Sequence, residues 1–201
     1  MRNGTILRVT GIPDWNTIEK LPVDILPWKE FPLSMEVFAQ LCHDGRVLHV
    51  RLAACETDPL ARFSGDTDMV CLDSCLEFFF SPLADERYFN FEFNPKGTLY
   101  LGFGTGRILS IRQLVTNYRG FFSVKPFASG GFWGVEFAVP ASFITLYCPG
   151  FSLEKGRTIT ANFYKCGDET KTPHYLVWNQ VDTEKPDYHR PEFFGHLVLE
   201  G

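Results

Sequence analysis

The chain has 201 residues, a formal net charge of −5 and no basic cluster, which argues against a nucleic-acid partner. With 45% hydrophobic residues, 20 Phe, 17 Gly and 13 Pro it can bury a sizeable core while turning often, and no apolar run reaches the ~18–20 residues of a membrane span. Neither a repeat nor a low-complexity tract is visible, so residues 1–201 are expected to form one domain, acting as a monomer.

In chain order, residues 5–10 read as a short strand. Residues 11–29 carry Pro13, Pro22 and Pro27 without periodicity and read as a long lead-in loop, with Trp15 and Trp28 expected to pin it to the body. Residues 35–42 and 47–54 alternate apolar and polar and predict a hairpin turning at His43, Asp44 and Gly45. After a polar loop at 56–68, residues 70–80 form the first of two signature strands. The second, 88–94, places Phe at every other position, with Asn90, Glu92 and Asn94 between. Because a strand sends alternate side chains to opposite faces, Phe89, Phe91 and Phe93 line one face and the acid and amides the other. Read in the same register, Asp73, Cys75 and Glu77 oppose Leu76, Phe78 and Phe80.

A turn at 95–97 leads to a strand at 98–103. The glycines at 102, 104 and 106 suggest a phosphate loop, but no helical pattern follows, so they read as a plain Gly-rich loop. Residues 121–127 and 131–139 predict a hairpin across 128–130, residues 140–146 a helical turn, and 157–166, 175–181 and 193–200 the remaining strands. About ten strands at short spacing imply an all-β fold: a two-sheet antiparallel β-sandwich, immunoglobulin- or jelly-roll-like, with a long N-terminal lead-in loop. In 157–166, Ile159, Ala161 and Phe163 face the core while Thr160, Asn162 and Tyr164 point out.

Glu77, Asn90, Glu92, Asn94, Asn162 and Tyr164 thus gather on one polar face, and a Pro-bracketed loop at 186–191 displays Tyr188, His189 and Arg190. Carboxylates and amides beside aromatic rings suit sugar hydroxyls and the apolar face of a pyranose. The same pattern also fits a solvated outer face. The six cysteines (42, 55, 71, 75, 148, 166) show no disulfide framework and read as free thiols; Cys71 and Cys75, four apart on one strand, would lie ~13 Å apart, too far for a bridge or a shared zinc. Cys166 reads as a buried thiol at a strand end rather than a nucleophile. The N-terminus lacks an apolar signal segment, which points to the cytoplasm.

The motifs at 73–80, 88–94, 162–168 and 191–195, in that order, resemble the family 9 carbohydrate-binding modules, and more closely the bacterial family 9-like branch that often stands alone. The resemblance runs from about residue 35 to the end. It implies a non-catalytic β-sandwich binding glycan ends in support of polysaccharide breakdown, with a carbohydrate as partner. By that resemblance Glu77 matches a ligand-bonding Glu. Asn90 and Glu92 fall at an Arg and an Asn, Asn162 and Tyr164 near an Asn and a Gln, and Tyr188 at one of two sugar-sandwiching Trp. The second sandwiching Trp would lie near Val70 or Cys71, where neither side chain can stack. Trp178 also matches a family Trp, although its apolar neighbours suit a core role. No cofactor is implied; some relatives bind structural calcium, for which Asp66, Asp68 and Asp73 could supply oxygens at a spacing that matches no calcium loop.

Two other functions fit parts of the sequence. Glu77 and Glu92 on adjacent strands could form the acid pair of a glycoside hydrolase. Met69 with His174 or His189 could ligate haem.

Overall fold

The computed structural model describes residues 1–107, 111–112 and 115–201. Among them, thirteen strands form two packed sheets. The first sheet runs β8 (Ile111–Arg112), β7 (Leu99–Gly104), β6 (Tyr88–Phe93), β5 (Cys75–Ser81), β11 (Thr158–Cys166), β13 (Gly195–Leu199) and β1 (Asn3–Arg8), with β12 (Tyr175–Val177) also on β11. The second runs β1, β3 (Val37–His43), β4 (Val47–Ala54), β10 (Phe132–Pro140) and β9 (Lys125–Ser129), with β2 (Leu21–Pro22) on β3. No helix among the described residues is long and apolar enough to cross a membrane.

Pleating makes the core. Phe78, Phe80, Phe89, Phe91, Phe93 and Phe163 turn inward from the first sheet and meet Leu41, Val50, Leu52, Val135 and Phe137 of the second. Phe137 bridges the layers, its ring 5.5 Å from Phe91 and 4.7 Å from Phe93. Such offset and tilted ring pairs add to the burial of apolar area. The lead-in loop covers the outer face of β3, where the Gln40 amide donates to the Trp15 and Ile18 carbonyls. Trp28 is buried and its indole N–H donates to the Thr183 carbonyl, whereas Trp15 stays half-exposed.

Five expectations need correction. The sheets are not purely antiparallel: β1 pairs parallel with β13 through Asn3–Ile6 and with β3 through Leu7 and Arg8, linking the two sheets. Parallel partners need a long connection, so no local turn signals them. The first signature strand begins at Cys75, because Val70–Leu72 forms a 3₁₀ turn and the Asp73 carboxylate accepts the Arg62 and Phe63 N–H groups. Cys71 therefore does not share a strand with Cys75. Residues 118–121 form a short helix, α1 (Tyr118–Phe121), capped by Asn117, and β9 starts only at Lys125. Its hairpin with β10 turns at Gly130 and Gly131, both at positive φ, as a tight two-residue turn requires. The helical turn predicted at 140–146 is α2 (Ala141–Tyr147).

Candidate functional site

The outer face of the first sheet is a grid. Strand register aligns Tyr164, Glu77, Glu92 and Tyr100 as one transverse row across β11, β5, β6 and β7. A second row, two residues along, contains Asn162, Phe79, Asn90 and Gly102, and on the other side Cys166 sits opposite Cys75. The acids face away from the phenylalanine core, as alternation demands, yet Glu77 and Glu92 are nearly fully buried.

Chain crossing this face buries them. The 186–190 loop lays Tyr188 on Tyr164, ring centroids 4.0 Å apart and 9° from parallel. The Tyr164 hydroxyl donates to the Tyr188 carbonyl at 3.1 Å, and the Tyr188 hydroxyl to the Lys165 carbonyl at 3.1 Å. Trp28 closes in at 5.7 Å from Tyr188 and 5.6 Å from Tyr175. His189 sits over Phe79 at 5.1 Å and its Nδ1 is 2.8 Å from the Tyr88 hydroxyl. Beneath this cover remains a cavity of about 220 Å³, with Glu77, Glu92, Tyr100, Arg107, Asp168 and Tyr188 among its lining residues. It borders a wide groove through shared Arg107, Pro186, Asp187 and His189. At that border Arg107 lies 3.6 Å from Asp187.

The floor is electrostatically loaded. Burial first, and the charge of neighbouring Glu92 second, hold the Glu77 carboxyl well above the usual carboxylate range, against the pull of the Cys166 thiol and Arg107. The Cys166 thiol donates to Glu77 Oε1 at 3.1 Å, and the Asn90 amide to Glu92 Oε1 at 2.7 Å. Burial also raises Asp168. The acids can accept hydrogen bonds and, where protonated, donate them, so the floor offers both partners that a hydroxyl requires.

Of the residues read from sequence, Glu77, Glu92, Tyr188 and His189 line the cavity. Asn90 orients Glu92, and Tyr164 backs Tyr188. Asn94 lies elsewhere: it donates to Asp73 and the Phe63 carbonyl and accepts the Lys96 and Thr98 N–H groups, building the 94–98 turn. Asn162 ties β11 to Asn179, donating to its carbonyl and accepting its N–H. Trp178 is in the core, 5.5 Å from Phe163. Arg190 borders the outer groove, paired with Glu192 at 2.9 Å and Asp187 at 3.8 Å. Asp73 and Asp68 bind backbone N–H groups of the 62–65 segment. Met69, Cys71, Tyr100, Arg107, Cys166, Asp168, Tyr175 and Asp187 line the cavity without having been predicted there. Tyr100 was legible as the next member of the Glu92 row; the others arrive on loops, or on strand ends whose partners are set by tertiary pairing.

Of the two haem pairs read from the sequence, Met69 and His189 both line the cavity, with His189 Nδ1 2.8 Å from the Tyr88 hydroxyl. His174 is buried against Lys165, 2.6 Å away, within a network containing Glu56. Glu77 and Glu92 are direct cross-strand neighbours, their Cβ atoms ~4.5–5.5 Å apart on one buried floor.

A β-sandwich whose acids and rings enclose a small cavity on an outer sheet face suits a polar, ring-sized ligand. The chain belongs to carbohydrate-binding family 9, whose model matches residues 9–199, and its activity is non-catalytic carbohydrate binding. A Bacteroides uniformis protein provisionally described as carbohydrate-binding is 32% identical with a TM-score of 0.85, over 99% of each chain. A family 9 module from Caldicellulosiruptor kristjanssonii, solved with glucose, is 12% identical with a TM-score of 0.67, over 100% of this chain and 96% of that one. The same description with cellotriose gives 12% and 0.67, covering 94% of that chain. No curated protein matches significantly.

Proposed function

We propose that the chain binds a glucose-type sugar, free or at the end of an oligosaccharide, in the cavity above Glu77 and Glu92, in support of polysaccharide breakdown. The observation that carries this reading is the cavity itself: about 220 Å³, floored by two carboxylates, walled by Tyr188 and Tyr100, and open to a groove. Ligand pockets for drug-sized molecules run ~300–1,000 Å³, so this one suits a single ring, with further units extending along the groove. The glucose and cellotriose bound by the Caldicellulosiruptor modules support this choice of ligand. Calorimetry with glucose and cellotriose tests it. Glu92→Gln, which removes a charge-assisted hydrogen bond of ~1.5–3 kcal/mol, is expected to weaken binding roughly 10- to 150-fold. Arg190→Ala, out in the groove, is expected to spare glucose. Glucose binding that survives both Glu77→Gln and Glu92→Gln at native strength places the sugar elsewhere.

A further inference from the structure

We propose that Cys75, Cys166 and Glu77 form a binding site for a thiophilic divalent cation, zinc foremost, with an open coordination position facing the carbohydrate cavity. Cys75 and Cys166 are direct partners across β5 and β11, and Glu77 is two residues from Cys75 on the same face. Their sulfur and oxygen atoms all lie within 4.8 Å of one another, and Cys166 Sγ is 3.1 Å from Glu77 Oε1. In tetrahedral zinc sites, Zn–S of ~2.3 Å and Zn–O of ~2.0–2.2 Å place neighbouring ligand atoms ~3.5–3.8 Å apart. Side-chain shifts of ~1 Å therefore convert this triangle into one face of a zinc tetrahedron. Two thiols select zinc over the hard cations calcium and magnesium, which want oxygen cages.

Glu92 and Asp168 share the cavity floor with Glu77 and Cys166, so four acidic or thiol groups meet in one small volume. A divalent cation would neutralise the cluster and take both thiols as thiolates. Access exists as well. Glu77 and Cys166 line the cavity, with Cys71 beside them, while Cys75 lies behind, fully buried. The fourth position opens toward the cavity, where a water or a ligand hydroxyl completes the tetrahedron.

Cobalt(II) titration of the reduced, chelator-treated protein is the test. One equivalent is expected to give the near-ultraviolet charge-transfer band of thiolate-bound cobalt, displaced by zinc, and zinc is expected to slow alkylation of the cavity-lining Cys166. Both native-protein readouts stand without any variant. The band is expected to vanish in Cys75→Ser and Cys166→Ser, weaken in Glu77→Gln, and persist in Cys55→Ser, which alters the exposed cysteine. Absence of a thiolate band in the native protein overturns the proposal. So does a band that survives both serine substitutions, or a Cys75–Cys166 disulfide found by mass spectrometry in the protein as purified, before any reductant is added.

Discussion

Tyr188 is where packing and recognition are hardest to separate, and its substitutions can divide them. Its ring is 7% exposed, stacked on Tyr164 at 4.0 Å and edged by Trp28, while its hydroxyl serves the Lys165 carbonyl at 3.1 Å and the Leu176 carbonyl at 3.4 Å. Tyr188→Ala removes a buried aromatic ring, which costs ~3–5 kcal/mol. Tyr188→Phe keeps the ring and its stacking and loses one hydroxyl, about 1 kcal/mol. For a domain of this size each kcal/mol moves Tm by roughly 2–4 °C, so the expected drops are about 6–20 °C for Ala and about 2–4 °C for Phe. Scanning calorimetry reads the stability, and titration with glucose below the transition reads the affinity. Phe is expected to bind glucose within about threefold of the native protein, since the hydroxyl faces backbone carbonyls. A Tyr188→Ala protein that melts like the native one yet loses glucose would show a ring held for the ligand alone, and would refute the packing described here.

Two titrating groups pull stability in opposite directions. Glu77 carries a raised pKa, so the folded state holds its proton longer than the unfolded chain and stability falls as pH rises above about 4.5; Glu77→Gln is expected to flatten that decline in denaturant titrations at pH 4–8. His174 is lowered by burial and by Lys165, so the unfolded chain binds the extra proton; stability is lost as pH falls through about 6.5, and His174→Gln is expected to remove that acid loss. Gly134→Ala is expected to unfold the protein or lower Tm steeply, because a Cβ there would collide with the Leu52 carbonyl oxygen and the Phe127 ring. Near-native melting would mean β4 and β10 can separate, contrary to their register.

The Phe-x-Phe-x-Phe run determined by itself which face of β6 enters the core, because pleat alternation is a local property that no tertiary context reverses. Glu77 and Glu92 were for that reason assignable to a shared outer face before any strand order was known. Whether that face meets water was beyond local sequence. The 186–190 loop and Trp28, more than 150 residues apart along the chain, meet above Glu77 and turn an open polar surface into a buried pocket. Strand order likewise decided that Cys166 faces Cys75, since which strands pair depends on the closure of the whole sandwich. Asn94 and Asn162 share the alternation of their neighbours, yet the loops that reached them engaged their amides in backbone hydrogen bonds. A side chain's face is set by its own strand, but what lies over that face is set by distant chain.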